Sequence, residues 1–204
     1  MGKARISRRR FVAAGAVSTL GVLLAPEAVL AEGDHKEKPE LLRWDLIQIV
    51  DGVVLVGGTD VSRDAASHDM VSLTGSGEAE PKKHKATGGG TFVHQHANGS
   101  LVASGVYYVT GFKSFVNGGG SLAQTGLIDG IGKLTQTDGG ILTMNVHAIV
   151  DAPFKGAVDG VLAVHCQLPG GEETPEGVRL SVLTFDFVQD SAEHGFTLFH
   201  VLDD

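Results

Sequence analysis

A single cysteine in 204 residues leaves the chain without an internal disulfide. Cys166 sits in the strand-like run Val161-Leu162-Ala163-Val164-His165-Cys166, where it reads as a small buried thiol rather than a nucleophile. Proline is also scarce, with 6 residues, and the 29 glycines follow no G-X-Y period, so a collagen-like chain is excluded. Long apolar runs are missing as well. The longest, Phe11 to about Leu24, has ~14 residues and is broken by Gly15 and Gly21, short of the ~20 that a membrane-spanning helix needs. Beyond it no window sustains apolar residues at the 3.6 spacing of an amphipathic helix.

What is present is an ordinary globular composition, 42% hydrophobic and 20% charged, at a length that suits one domain. Residues 1–31 have the three parts of a signal peptide: basic Lys3, Arg5, Arg8, Arg9 and Arg10, the short apolar stretch, and the small-residue end Val29-Leu30-Ala31. Cleavage is expected after Ala31. The stretch Ser7-Arg8-Arg9-Arg10-Phe11-Val12 resembles the twin-arginine (Tat) export motif, with Arg8, Arg9 and Phe11 as its signature and Ala13 where a Lys often stands. That resemblance implies the Tat translocase as a partner during export, folding before export, and a periplasmic or extracellular destination. A disulfide-free domain agrees with folding in a reducing compartment. Removing the leader takes away five basic residues and Glu27, leaving 11 basic against 23 acidic residues, a net of −12. Nucleic acid is therefore not an expected partner, and the mature protein carries no stable membrane anchor.

The polar stretch 32–40 reads as a flexible spacer, and a β-barrel domain is expected over 41–204. Two hairpin signals stand out: Leu42 to Val50, Asp51-Gly52, Val53 to Val56, and Thr91 to Ala97, Asn98-Gly99, Ser100 to Phe115. Further strands are expected at 70–75, 141–150, 160–168, 178–188 and 195–202, with Gly139 marking a turn. Segment 77–88 reads as a charged loop long enough to cover a barrel mouth, and 121–136 as a kinked strand or short helix. Eight to ten strands in this length make an all-β fold, a single antiparallel barrel ahead of a two-sheet sandwich. Gly88-Gly89-Gly90 lacks a following Gly-Lys-Ser/Thr, and no Gly-x-Ser-x-Gly elbow occurs, so phosphate-loop and serine-hydrolase chemistry have no motif.

All nine histidines follow the leader. Because residues i and i+2 of a strand share a face, His94 and His96 are expected together. His147 and His165 fall opposite the most apolar faces of their strands, His147 with Asn145. If the sheet closes, these four histidines, Asn145 and Tyr107 form a candidate ligand pocket; Tyr107 and Tyr108 point to opposite faces, so one of them at most enters it. His94, His96 and His147 are candidate ligands for a transition metal. His200 shares its face with Leu198 and Leu202 and reads as a packed histidine.

His94-Gln95-His96 superficially resembles the first cupin motif, but Gly99 to Leu101 stand where its Glu belongs and no second motif follows Pro153, so no ligand set carries over. The phrases Ala86-Thr87-Gly88-Gly89-Gly90-Thr91-Phe92-Val93-His94 and Gly160-Val161-Leu162-Ala163-Val164-His165-Cys166-Gln167-Leu168-Pro169-Gly170 resemble segments of small exported bacterial proteins. The short Gly-punctuated strands resemble, in architecture, the barrels of the allene oxide cyclase and dirigent type, or those of lipocalins. Three functions stay open: a barrel binding an apolar or aromatic ligand in its lumen, a histidine-dependent metal or acid/base enzyme of cyclase, isomerase or cupin type, and a structural or surface-interaction protein without a site.

Overall fold

A computed structural model describes residues 38–190 and 195–202. The chain divides into two units, 1–33 and 34–204. The export motif, the Ala31 cleavage point and most of the spacer lie outside the described residues.

Among the described residues thirteen strands run β1 Leu42–Val50, β2 Val53–Val56, β3 Asp60–Asp64, β4 Met70–Leu73, β5 Ser76–Glu80, β6 Lys85–Gln95, β7 Leu101–Gly119, β8 Ile128–Asp129, β9 Thr137–Ala152, β10 Gly156–Cys166, β11 Gly177–Val182, β12 Phe185–Gln189 and β13 Phe196–Val201. Three 3₁₀ turns and no α-helix accompany them among the described residues. The fold is the expected closed antiparallel barrel. Ten strands form a complete circuit, β6-β5-β1-β13-β9-β10-β11-β12-β3-β4, and β7 crosses it by pairing with both β6 and β9. The crossing strand divides the circuit into an eight-strand ring that includes β3, β4 and β10 to β12, and a six-strand ring that includes β1, β5 and β13.

Local chemistry explains the turns. Asp51 and Gly52 both take positive φ, 51° and 78°, which joins β1 to β2 with Val50 opposite Val53, as the Asp-Gly signal requires. The Asn98-Gly99 signal gives a hairpin with three loop residues rather than two: His96 N–H donates to Ser100 O, Gly99 N–H donates to His96 O, and Gly99 alone has positive φ. The register shifts next to it, between His94 and Gln95.

Several expectations are corrected. Segment 178–188 is two strands, β11 and β12, because Leu183 reverses the chain with φ 52°. Segment 77–88 is no cover over the mouth: β5, a 3₁₀ turn at Pro81–Lys83 and the start of β6 build it into the six-strand ring. Gly139 lies within β9, where a Cβ would come 2.5 Å from Gly119 O, so close strand approach and not a turn requires glycine there. Segment 121–136 holds two 3₁₀ turns and the two-residue β8.

The six-strand ring is filled. Leu42, Trp44, Ala79, Phe115 and Phe199 are buried in its interior, Phe115 meets Phe199 edge to face at 5.8 Å, and Trp44 Nε1 donates to Thr87 O at 3.2 Å. Gly77 and Gly88 face each other beneath the indole, where a Cβ on either would approach within 2.8 Å of Trp44.

β3 inverts the usual alternation by burying Asp60, Ser62 and Asp64. Its side chains substitute for missing ladder bonds: Asp60 Oδ1 accepts Val178 N–H, Ser62 Oγ donates to Val178 O, and Asp64 Oδ1 accepts Asp186 N–H. Buried polar groups of this kind are tolerated because each has partners. The Asp186 N–H, together with the Ser67 and Ala66 N–H groups and the Ser67 hydroxyl, outweighs burial and brings the Asp64 carboxyl down to about 2.

Candidate functional site

The eight-strand ring encloses a cavity of about 280 Å³, near the lower end of the ~300–1,000 Å³ usual for ligand pockets. Its wall comes from alternate residues: Val71 and Leu73 of β4, Phe92 and His94 of β6, Tyr107 of β7, Val146, Ala148 and Val150 of β9, Leu162 of β10, Leu180 and Val182 of β11, and Phe185 and Phe187 of β12. The hairpin turns β3–β4, β6–β7, β9–β10 and β11–β12 all lie at one end of this ring. Phe154 and Leu183, 67% and 80% exposed, project from two of these turns and line the cavity at its rim.

Among the described residues one titratable imidazole interrupts this apolar wall. His94 is buried, and its ring lies edge-on to Phe185 at 5.0 Å and to Phe187 at 5.1 Å, the two phenyl rings being stacked on each other. Its Nε2 is 3.1 Å from Asp69 Oδ2. The same carboxylate meets His96 Nδ1, 3.2 Å from each oxygen. Asp69 is itself buried. Burial opposes its ionisation, yet the hydrogen bonds from His96 and His94 outweigh burial and hold its carboxyl below the ordinary range. For His94 the balance goes the other way: burial lowers it despite Asp69, so the ring is neutral near pH 7. An ionised carboxylate only accepts, so neutral His94 places its proton on Nε2 and leaves a lone pair on Nδ1. Nδ1 has no hydrogen-bond partner among the described residues, and it is not sealed off as the Nδ1 atoms of His165 and His200 are.

Tyr107 also lines the cavity, but its O–H is committed to Thr74 O at 2.9 Å; Tyr108 is exposed on the other face. The remaining candidates are elsewhere. Asn145 and His147 alternate with the cavity-lining Val146 and Ala148 and so face outward, where His147 Nδ1 meets Asp159 Oδ1 at 2.7 Å. His165 likewise lies on the outer face of β10, with burial and the nearby Arg179 charge holding it below the usual imidazole range. The four histidines therefore do not converge, and His94, His96 and His147 form no ligand set. Among the described residues no group of three or more His, Cys, Asp or Glu side chains is arranged to hold a metal ion.

Two residues that pattern reasoning passed over matter here. Asp69 is brought to the histidines by the β4–β6 register, in which Met70 faces Gln95 and Val71 faces His94. The only sequence signal was a carboxylate just before an expected strand, and nothing indicated which strand would be its neighbour. Asp129 is the partner of His200, Nε2 to Oδ2 at 2.7 Å with both side chains 2% exposed, so His200 is packed as expected. Burial opposes ionisation of Asp129, and bonds from His200 and the Gly132 and Ile131 N–H groups overcome it.

The fold and cavity together define a class, a closed antiparallel barrel with an apolar lumen whose wall, among the described residues, carries one carboxylate-oriented imidazole. Comparisons with protein-family models, curated proteins and solved structures give no match to this chain.

Proposed function

We propose that this is an exported barrel that binds one small apolar or aromatic molecule in its lumen. The carrying observation is the unfilled apolar cavity of the eight-strand ring, opening between exposed Phe154 and Leu183. A protein without a site would gain stability by filling that space, since each buried methylene contributes about 0.8 kcal/mol. Enzymatic acid/base chemistry has less support, because among the described residues a single imidazole, that of His94, lines the lumen, and the other candidate histidines lie outside it.

The binding reading is tested with an uncharged phenylnaphthylamine dye, whose fluorescence rises in apolar surroundings, titrated into the purified full chain. Saturable one-to-one binding is expected. Ala148→Phe, which places a ring in the lumen, is expected to weaken it at least tenfold while the protein unfolds at a similar denaturant concentration. Absent or non-saturable binding, or binding unchanged in the filled variant, overturns the proposal. Export rests on Ser7-Arg8-Arg9-Arg10-Phe11. Replacing Arg8 and Arg9 together by Lys is expected to leave the protein in the cytoplasm, and undiminished export of that variant would exclude the Tat route.

A further inference from the structure

The lumen is chemically lopsided: among the described residues a wall of aliphatic and aromatic groups carries one imidazole, whose Nε2 lies 3.1 Å from the Asp69 carboxylate. Asp69 fixes the ring's tautomer by accepting from Nε2, and the edge-on contacts with Phe185 and Phe187 fix the ring plane. The other polar atom of the wall, the Tyr107 hydroxyl, already donates to Thr74 O. Among the described side chains what remains for a ligand is Nδ1 of His94, which no hydrogen bond occupies, in a setting where an unpaired polar atom is costly. A ligand without a donor would cover that atom and leave it unpaired. A carboxylate would bring a second negative charge toward Asp69 and present no donor at all.

We propose that the ligand of this lumen is a small, largely apolar molecule carrying one hydroxyl, and that the hydroxyl donates to Nδ1 of His94. The assignment rests on the lumen-binding reading above and adds the chemical class. His94 is a recognition residue here and Asp69 a positioning residue that acts through it. Asp69 also holds His96 at the same end of the ring, so the carboxylate keeps a partner if His94 is replaced.

The test compares a naphthol with its methyl ether, which has nearly the same shape and no donor, in displacing the phenylnaphthylamine dye from the full-length protein. Naphthol is expected to bind about 10-fold more tightly, the worth of one buried hydrogen bond of ~1.4 kcal/mol. In His94→Phe the two compounds are expected to bind equally, with ether affinity retained, which also reports that the lumen is intact. In Asp69→Asn, where an amide N–H can donate to Nε2 and move the ring proton to Nδ1, the preference is expected to shrink or reverse. A preference under about threefold in the wild type, or one that survives in both variants, overturns the hydroxyl assignment while leaving the lumen reading standing. Failure of dye, naphthol and ether alike to bind the wild-type protein overturns the lumen reading on which it rests.

Discussion

The two rings of this barrel share β6, β7 and β9 yet end in opposite states. The six-strand ring closes over Trp44, Phe115 and Phe199 with glycines pressed against the indole, whereas the eight-strand ring closes over a cavity. Side-chain volume accounts for the difference. Beneath Trp44, Gly77 and Gly88 let backbone approach and one large ring takes up the space. In the other ring the wall positions on β9 are the small side chains Val146, Ala148 and Val150, and they line the cavity. Close packing is the rule in protein interiors, so the eight-strand ring departs from it beside a ring that obeys it, and on the lumen-binding proposal that space belongs to the ligand.

The same deletion made in each ring tests this contrast. Leu42→Ala removes a fully buried side chain packed in the six-strand ring and is expected to cost about 3–4 kcal/mol, within the range for cavity-forming substitutions. Leu180→Ala removes a cavity-lining side chain that is only partly buried, and is expected to cost about 1 kcal/mol because few contacts are lost on its lumen side. Urea unfolding of both variants is the measurement. Equal costs would mean that the eight-strand ring is as well packed as its neighbour.

How much of this was legible in the sequence follows from the same contrast. Turns were readable where backbone chemistry is local, as at Asp51-Gly52. Alternation also placed Val146 and Ala148 on one face of β9 and His147 on the other. It could not say which face would turn inward. On β9 and β10 the apolar faces did, leaving His147 and His165 outside; on β6 the inward face carried Phe92 and His94. β3 was invisible because Asp60, Ser62 and Asp64 are buried on account of the β11 and β12 backbone groups they satisfy, a non-local cause. Asp69 was missed for a related reason: its role exists only in the register between β4 and β6.

A smaller effect is expected where the rings are joined. Glu176, just before β11, accepts Gln167 N–H at 2.6 Å through one oxygen, and Thr197 N–H at 2.7 Å and Thr197 Oγ at 3.0 Å through the other, linking the end of β10 to β13. Burial raises its carboxyl to about 7 despite those donors. A carboxyl raised in the folded state favours folding most fully below its ordinary range near 4.5, and that contribution is lost as pH rises through about 7. His94 and His165, both lowered by burial, work in the opposite sense and favour the folded state more as pH rises. The difference between wild type and Glu176→Gln isolates the carboxyl. Between pH 5 and pH 8 the wild type is expected to lose on the order of 2 kcal/mol relative to the variant, at ~1.4 kcal/mol per pH unit over part of the shift. The variant should be less stable at pH 5, since its amide N–H₂ faces a backbone donor. Chemical denaturation at the two pH values reads both quantities, and parallel behaviour of the two proteins would place the coupling between the rings in groups other than Glu176.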